Sequence, residues 1–135
     1  MLTRAQALPG VTAASAVTTL PLGGGRDGIG LHIDGRIEPN PESAPDADRF
    51  AVLPDYFAAT RTPLLRGRLL GPGDRQHTER VAVVNRTLAA ELFPGTDPIG
   101  QRLRLGPPAA EPRTIVGVVG DIRHHGLDVP PGYQV

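Results

Sequence analysis

Few residues in this chain could do chemistry. His124 and His125 stand side by side, with Asp121, Arg123 and Asp128 close by. Imidazoles beside carboxylates are the usual material of a metal or anion site. If the strand expected just before them continues, adjacent histidines point to opposite faces and do not readily share one ion. The same geometry puts Asp121 with Arg123, and Arg123 with His125, on common faces. A third ligand would have to arrive from His32 or His77, so a polar strand end explains the cluster more simply. Gly23, Gly25 and Gly28 satisfy a G-x-G-x-x-G pattern. A dinucleotide site needs that loop to open a helix, and here it opens GLHID, which reads as a strand; no Lys follows, as a phosphate loop would require.

Other catalytic signatures are weaker still. Ser15 and Ser43 are the only serines, and neither lies in a G-x-S-x-G elbow. No two carboxylates are singled out as an acid–base pair. Asn85-Arg86-Thr87 fits the glycosylation pattern, but Asn85 also stands where a helix needs a cap. Arg66 and Arg68 flank Gly67; on a strand they share a face and could hold an anion or an acidic partner, although a solvated face accounts for them as well. No catalytic, cofactor-binding or metal-binding residue is therefore assigned, and no cofactor is expected. The least favoured alternative function is a small metal- or anion-binding enzyme using Asp121, Arg123, His124 and His125.

Composition narrows the class. The chain has 135 residues, which suits one domain, and 14 basic against 14 acidic residues, with neither half strongly basic as nucleic-acid binding would need. Every basic residue other than histidine is Arg, a preference that a GC-rich coding bias explains without any function. There is no Cys, which removes disulfides, thiolate catalysis and cysteine metal sites. With 3 Phe, 2 Tyr and no Trp the core must be aliphatic, and 17 Gly and 15 Pro call for many turns and short elements. No stretch approaches the ~20 apolar residues of a membrane helix. Arg4 and Ala14-Ser15-Ala16 resemble parts of a signal peptide, but Pro9-Gly10 breaks the segment between them and no signal is read.

The elements that must position these residues follow from periodicity and punctuation. Residues 3–8 can finish a helix that Pro9-Gly10 ends. Residues 11–20 (VTAASAVTTL) suit a strand, residues 21–30 a Gly-rich loop, and residues 30–36 (GLHIDGR) a half-exposed strand with Leu31 and Ile33 on one face. Residues 38–48, with Pro39, Pro41, Pro45 and four acids, form a connector between two subdomains or a long hairpin loop. Residues 49–53 are a strand candidate. Pro54 can begin a short helix in which Tyr56 and Phe57 pack inward. Residues 81–84 read as a buried strand. Asn85 then caps a helix over residues 87–93 with Leu88, Leu92 and Phe93 on one face. Residues 101–105 alternate with Leu103 and Leu105 inward, and residues 114–121 (TIVGVVGD) form an apolar strand whose Gly117 and Gly120 permit close packing or a bulge. The expected fold is α/β (α+β), a mixed sheet with short helices packed on one face.

The order of these pieces resembles a known family. Val52-Leu53-Pro54-Asp55-Tyr56-Phe57, Thr62-Pro63-Leu64-Leu65-Arg66-Gly67-Arg68 and the following Asp74 are similar to a segment of MacB-like periplasmic core domains. So are Val81-Ala82-Val83-Val84-Asn85, Leu92-Phe93-Pro94-Gly95, Asp97-Pro98-Ile99-Gly100-Gln101-Arg102-Leu103 and Thr114 to Arg123 with Gly126-Leu127. Leu8-Pro9-Gly10-Val11 matches the start of that domain. Leu53 departs from the usual Ser, and Arg61-Thr62 from a Gly-containing pair.

The resemblance, nearest to the FtsX-like permease group, implies a non-catalytic extracytoplasmic domain of an ABC-transporter permease, in the periplasm or on the outer face of the cell membrane. Such a domain relays conformational change to a partner or substrate. Its implied partners are the permease transmembrane region and other transporter subunits. The family pattern also implies flanking transmembrane helices and a further C-terminal part, so residues 1–135 are expected to be a fragment of the core domain whose open sheet edge could promote self-association. The main alternative is a free-standing soluble interaction domain.

Overall fold

The computed structural model describes residues 2–37, 40–53, 55–74 and 78–135. Three short helices and six strands occur in the order α1 (Leu2–Gln6), β1 (Gly28–Ile33), β2 (Asp46–Asp48), α2 (Tyr56–Ala59), β3 (Leu64–Gly67), β4 (Val81–Asn85), α3 (Arg86–Leu92), β5 (Arg102–Leu105) and β6 (Arg113–Val119). The strands form one mixed sheet. β4 runs parallel to β6, while β1–β2, β1–β5, β5–β6 and β3–β6 are antiparallel. The two segments expected to be apolar strands, residues 81–84 and 114–121, are neighbours, with Val81 opposite Thr114 and Asn85 opposite Val119.

β6 is the axis of the fold because it serves three neighbours. The register against β4 slips between Ala82 and Val83, which places an extra residue, Val116, in β6. That bulge sends Ile115 and Val118, three apart, into the same core, whereas strict alternation would have paired Ile115 with Gly117 and Val119. Glycine is required on both sides of the bulge. A Cβ on Gly117 would collide with the Arg68 carbonyl oxygen, and one on Gly67, whose φ is +68°, with that of Val116. The core holds Leu31, Ile33, Val84, Leu88, Leu103 and Ile115 at its centre, all aliphatic. α3 packs against β4 and β6 through Leu88.

Three expectations change. Residues 11–20 form no strand; only Val17 makes an isolated bridge, to Val52, so residues 49–53 are not a strand either. β2 instead lies in the acidic connector, at Asp46–Asp48, and pairs with β1 as Gly28↔Asp48 and Gly30↔Asp46. The connector is thus the arm of a hairpin; its Glu38 and Pro39, like Pro54 at the expected helix start, lie outside the described residues. Cross-strand partners decided these positions, and β propensity is a weaker term than pairing and burial. Residues 133–135, for which the sequence carried no strand signal, also join the sheet. Tyr133 O accepts from Asp48 N at 2.8 Å, Val135 N donates to Asp48 O at 3.0 Å, Phe50 N donates to Val135 O at 2.8 Å, and Gln134 O accepts from Asn85 N at 3.1 Å. Residues 133–135 therefore join β2 to the end of β4. Backbone hydrogen bonds then run in a closed circuit through β6, β4, residues 133–135, β2, β1, β5 and back to β6.

Candidate functional site

The polar residues of the fold gather where this circuit closes. Asn85 ends β4 in extended conformation and caps α3, its Oδ1 accepting from Leu88 N at 3.2 Å, as the sequence led one to expect. The same oxygen accepts from Gln134 N at 3.1 Å, while Nδ2 donates to Asp121 Oδ1 and to Gly132 O, both at 2.8 Å. With 1% exposure, this side chain is no acceptor for a glycan. Asp121 accepts from Thr87 N at 3.0 Å and from the Thr87 hydroxyl at 2.8 Å. Gln134 spans Ile122, donating to its carbonyl and accepting from its amide at 3.1 Å. The Tyr133 hydroxyl donates to Glu91 of α3 at 2.7 Å.

A second group surrounds Asp48. Its buried carboxylate accepts from Arg26 Nε at 2.8 Å and faces His125 Nε2 at 2.5 Å. A carboxylate only accepts, so Nε2 of His125 carries the proton. Burial alone would push the Asp48 carboxyl up, but the hydrogen bonds from His125 and Arg26 outweigh it and hold the group below its ordinary value. Arg26 lies in the Gly-rich loop. That loop opens β1 rather than a helix, and it is tied down again where Leu22 N donates to His124 O at 2.8 Å.

The four residues of the enzyme alternative do not converge. β6 ends at Val119, so residues 121–125 are not a strand and the common faces expected for Asp121, Arg123 and His125 do not exist. Asp121 goes to Asn85 and Thr87. Arg123 donates to the carbonyls of Leu127 and Val129. His125 goes to Asp48. His124 turns inward and stacks on Phe50, with ring centroids 4.1 Å apart at 16°. His77 lies outside the described residues, and His32 sits on β1. Arg66 and Arg68 have their own acids: Arg66 reaches Asp97 at 3.5 Å, and Arg68 holds Asp74 through two bonds of 2.7 and 3.0 Å.

Beside the Asn85 group lies a hollow of about 250 Å³ that the sequence did not announce. Phe50, Tyr56, Phe57, Val83, Val119 and His124 are among its walls, brought together from five separate stretches of chain. Burial lowers the pKa of His124, with the charge of His125 adding to the effect and Asp48 opposing it, so the ring is neutral above its ordinary value of 6.5.

The matched family model, MacB-like periplasmic core domain, covers residues 2–131. The chain belongs to that family. Three solved structures share the fold. The periplasmic region of MacB from Actinobacillus actinomycetemcomitans superposes with a TM-score of 0.59 at 19% identity, over 90% of this chain and 51% of that one. The extracellular domain of the noncanonic ABC-type transporter YknZ from Gram-positive bacteria gives 0.57 at 19% identity, over 89% and 55%. A domain of a protein described as a permease, from Porphyromonas gingivalis, gives 0.60 at 17% identity, over 95% and 47%. This MacB-like domain therefore spans about half the length of the structures it matches. No curated protein sequence matches it. Among the described residues, no helix is long and apolar enough to cross a membrane.

Proposed function

We propose that the chain is a non-catalytic, extracytoplasmic part of an ABC-transporter permease that relays conformational change to a partner or substrate. The family match over residues 2–131 carries the reading. The closed hydrogen-bond circuit supports the relay: a body that passes on motion must not yield inside, and here β2, β4 and residues 133–135 are tied to one another by backbone bonds and by Asn85. Since the matched structures are about twice as long, the chain is read as a portion of such a domain, working beside a transmembrane region and other transporter subunits. β3 offers a contact edge. It pairs only with β6 among the strands, and Leu64 and Leu65 are exposed on it.

The absence of Cys from these 135 residues makes location simple to test, because a cysteine introduced at the exposed Ala109 is the one thiol among them. A membrane-impermeant maleimide should label Ala109→Cys in intact cells of the native host; labelling only after lysis would rule out the extracytoplasmic placement. A photocrosslinker at Leu65 in native membranes should trap a transporter subunit with a yield that changes on adding ATP. Crosslinks insensitive to ATP would remove the relay.

A further inference from the structure

The edge strand β3 and the side of α3 that carries Arg86 and Ala90, both exposed, border one open groove of about 750 Å³. Leu65, Ala89, Ala90, Phe93 and Val118 supply its apolar surface. All four residues of β3 are exposed, with Leu64 at 42% and Leu65 at 45%. Two adjacent leucines on an edge strand call for cover. A further strand does not fit as that cover. The register of β3 against β6 slips between Leu64 and Arg66, so Leu65 is an extra residue, and Gly67 ends the strand at φ +68°. A bulge bends an edge and interrupts its ladder, which blunts it against strand addition. The contact left to this edge is through side chains.

The charge around the groove is uneven. Arg66 and Arg86 line it, and each holds its acid loosely, Asp97 at 3.5 Å and the part-buried Asp121 at 3.6 Å. Asp121 is already engaged by Asn85 and Thr87. Arg36 lies over the Phe93 ring, 5.2 Å from its centroid, and has no acid partner among the described residues. Three guanidiniums thus stand against two carboxylates, one of which is spent inside the fold.

We propose that this groove receives an acidic amphipathic helix of a partner protein, its apolar ridge against Leu65, Ala90 and Val118 and its acidic flanks against Arg36, Arg66 and Arg86. A concave groove takes a ridge of side chains, whereas a bilayer calls for an apolar crest. Helices pack ~8–10 Å apart, and Ala89 and Ala90 leave room for that approach. Exposed ion pairs each add little affinity but reject like charge, so the three arginines select the partner more than they hold it. The inference deepens the permease reading, on which it rests for the existence of a partner.

Three helical peptides are the probes. They share one Leu and Ala face and carry Glu, Gln or Lys along its flanks. Each is titrated into the isotope-labelled 135-residue chain and followed by NMR. The expected result is saturable, one-to-one shifts at Leu65, Ala90 and Val118, with the Glu peptide about ten-fold tighter than the Gln peptide and the Lys peptide weakest. Added salt should shrink that spread. Leu65→Ser should weaken all three several-fold, while Leu127→Ser, at an exposed leucine outside the groove, should not. Arg66→Glu combined with Arg86→Glu should put the Lys peptide first, a reversal that also shows the variant is folded. Equal binding of the three peptides, shifts mapping outside the groove, no saturation by about 1 mM, or an equal loss from Leu127→Ser would overturn the proposal. So would Leu65-dependent sedimentation with phosphatidylglycerol vesicles, which would give this face to a membrane. The titration reads the groove alone and the ATP response of the Leu65 crosslink reads the relay, so each can fail without the other.

Discussion

Two polar regions lie side by side at the end of β4 and differ in one respect. Around Asn85 each partner is spent: its amide and carbonyl oxygen serve α3, Asp121, Gly132 and Gln134 together. Nearby, the Tyr56 hydroxyl and His124 Nδ1 are buried with no hydrogen-bond partner among the described residues. The first arrangement holds residues 133–135 in place. The second costs the fold stability. Where hydrogen bonds close on themselves they hold the fold together; where they stop short, the buried group costs its desolvation.

Removing side chains from each region should expose that difference. The largest effect is expected from Asn85→Ala, which deletes the helix cap and strands the Gln134 amide and the Gly132 carbonyl. Unfolding in urea should show a loss of about 3 kcal/mol or more. Asp48→Asn should follow at about 1–3 kcal/mol, because the amide cannot serve both Arg26 and His125 as the carboxylate does. Amide exchange at Phe50 and Val135 should quicken in that variant, since both bond across the same closure; unchanged exchange there would separate Asp48 from the holding of residues 133–135.

Acid should act through both regions in distinct windows. Burial depresses the folded-state pKa of His124, and His125 depresses it further against the pull of Asp48. The unfolded chain therefore takes up this proton first, and stability falls as pH drops below about 6.5. Asp48 is also depressed, so its share of stability is complete above its ordinary 3.8 and is lost only as pH falls below that value. His124→Phe should flatten the stability profile in the upper window and leave the lower one intact. A profile that keeps its slope near pH 6 would show that His124 is not the group titrating.

The smallest effect is expected from Tyr56→Phe. Deleting a hydroxyl that has no partner among the described residues should change stability by less than about 1 kcal/mol, in the favourable direction. A loss comparable to that of Asn85→Ala would erase the contrast between the two regions.

Much of the fold could be read from the chain. β4, α3 and β6 carry unbroken apolar runs, a side chain fitted to cap, and Pro or Gly at the stops, so local chemistry and tertiary packing agree there. Asn85 was legible as a cap. Its further bonds to Asp121, Gly132 and Gln134 were not, since those residues lie 36 to 49 positions away. Residues 11–20 misled because small β-branched residues suit a strand only when an edge is available to receive them, and no such edge is offered beyond Val52.

Composition and order by themselves settled an aliphatic, mixed α/β fold, the absence of cysteine chemistry, the apolar strands at residues 81–84 and 114–121, and the family. Tertiary structure alone decided three things. It chose the bulge at Val116, because only the partner strand fixes which face a residue takes. It drew residues 133–135 into the sheet, because a gap between β2 and β4 offered them backbone partners. It set Tyr56 and His124 around one cavity. Each depends on contacts between distant segments, and such contacts are set by the packing of the whole chain and leave no period in the sequence.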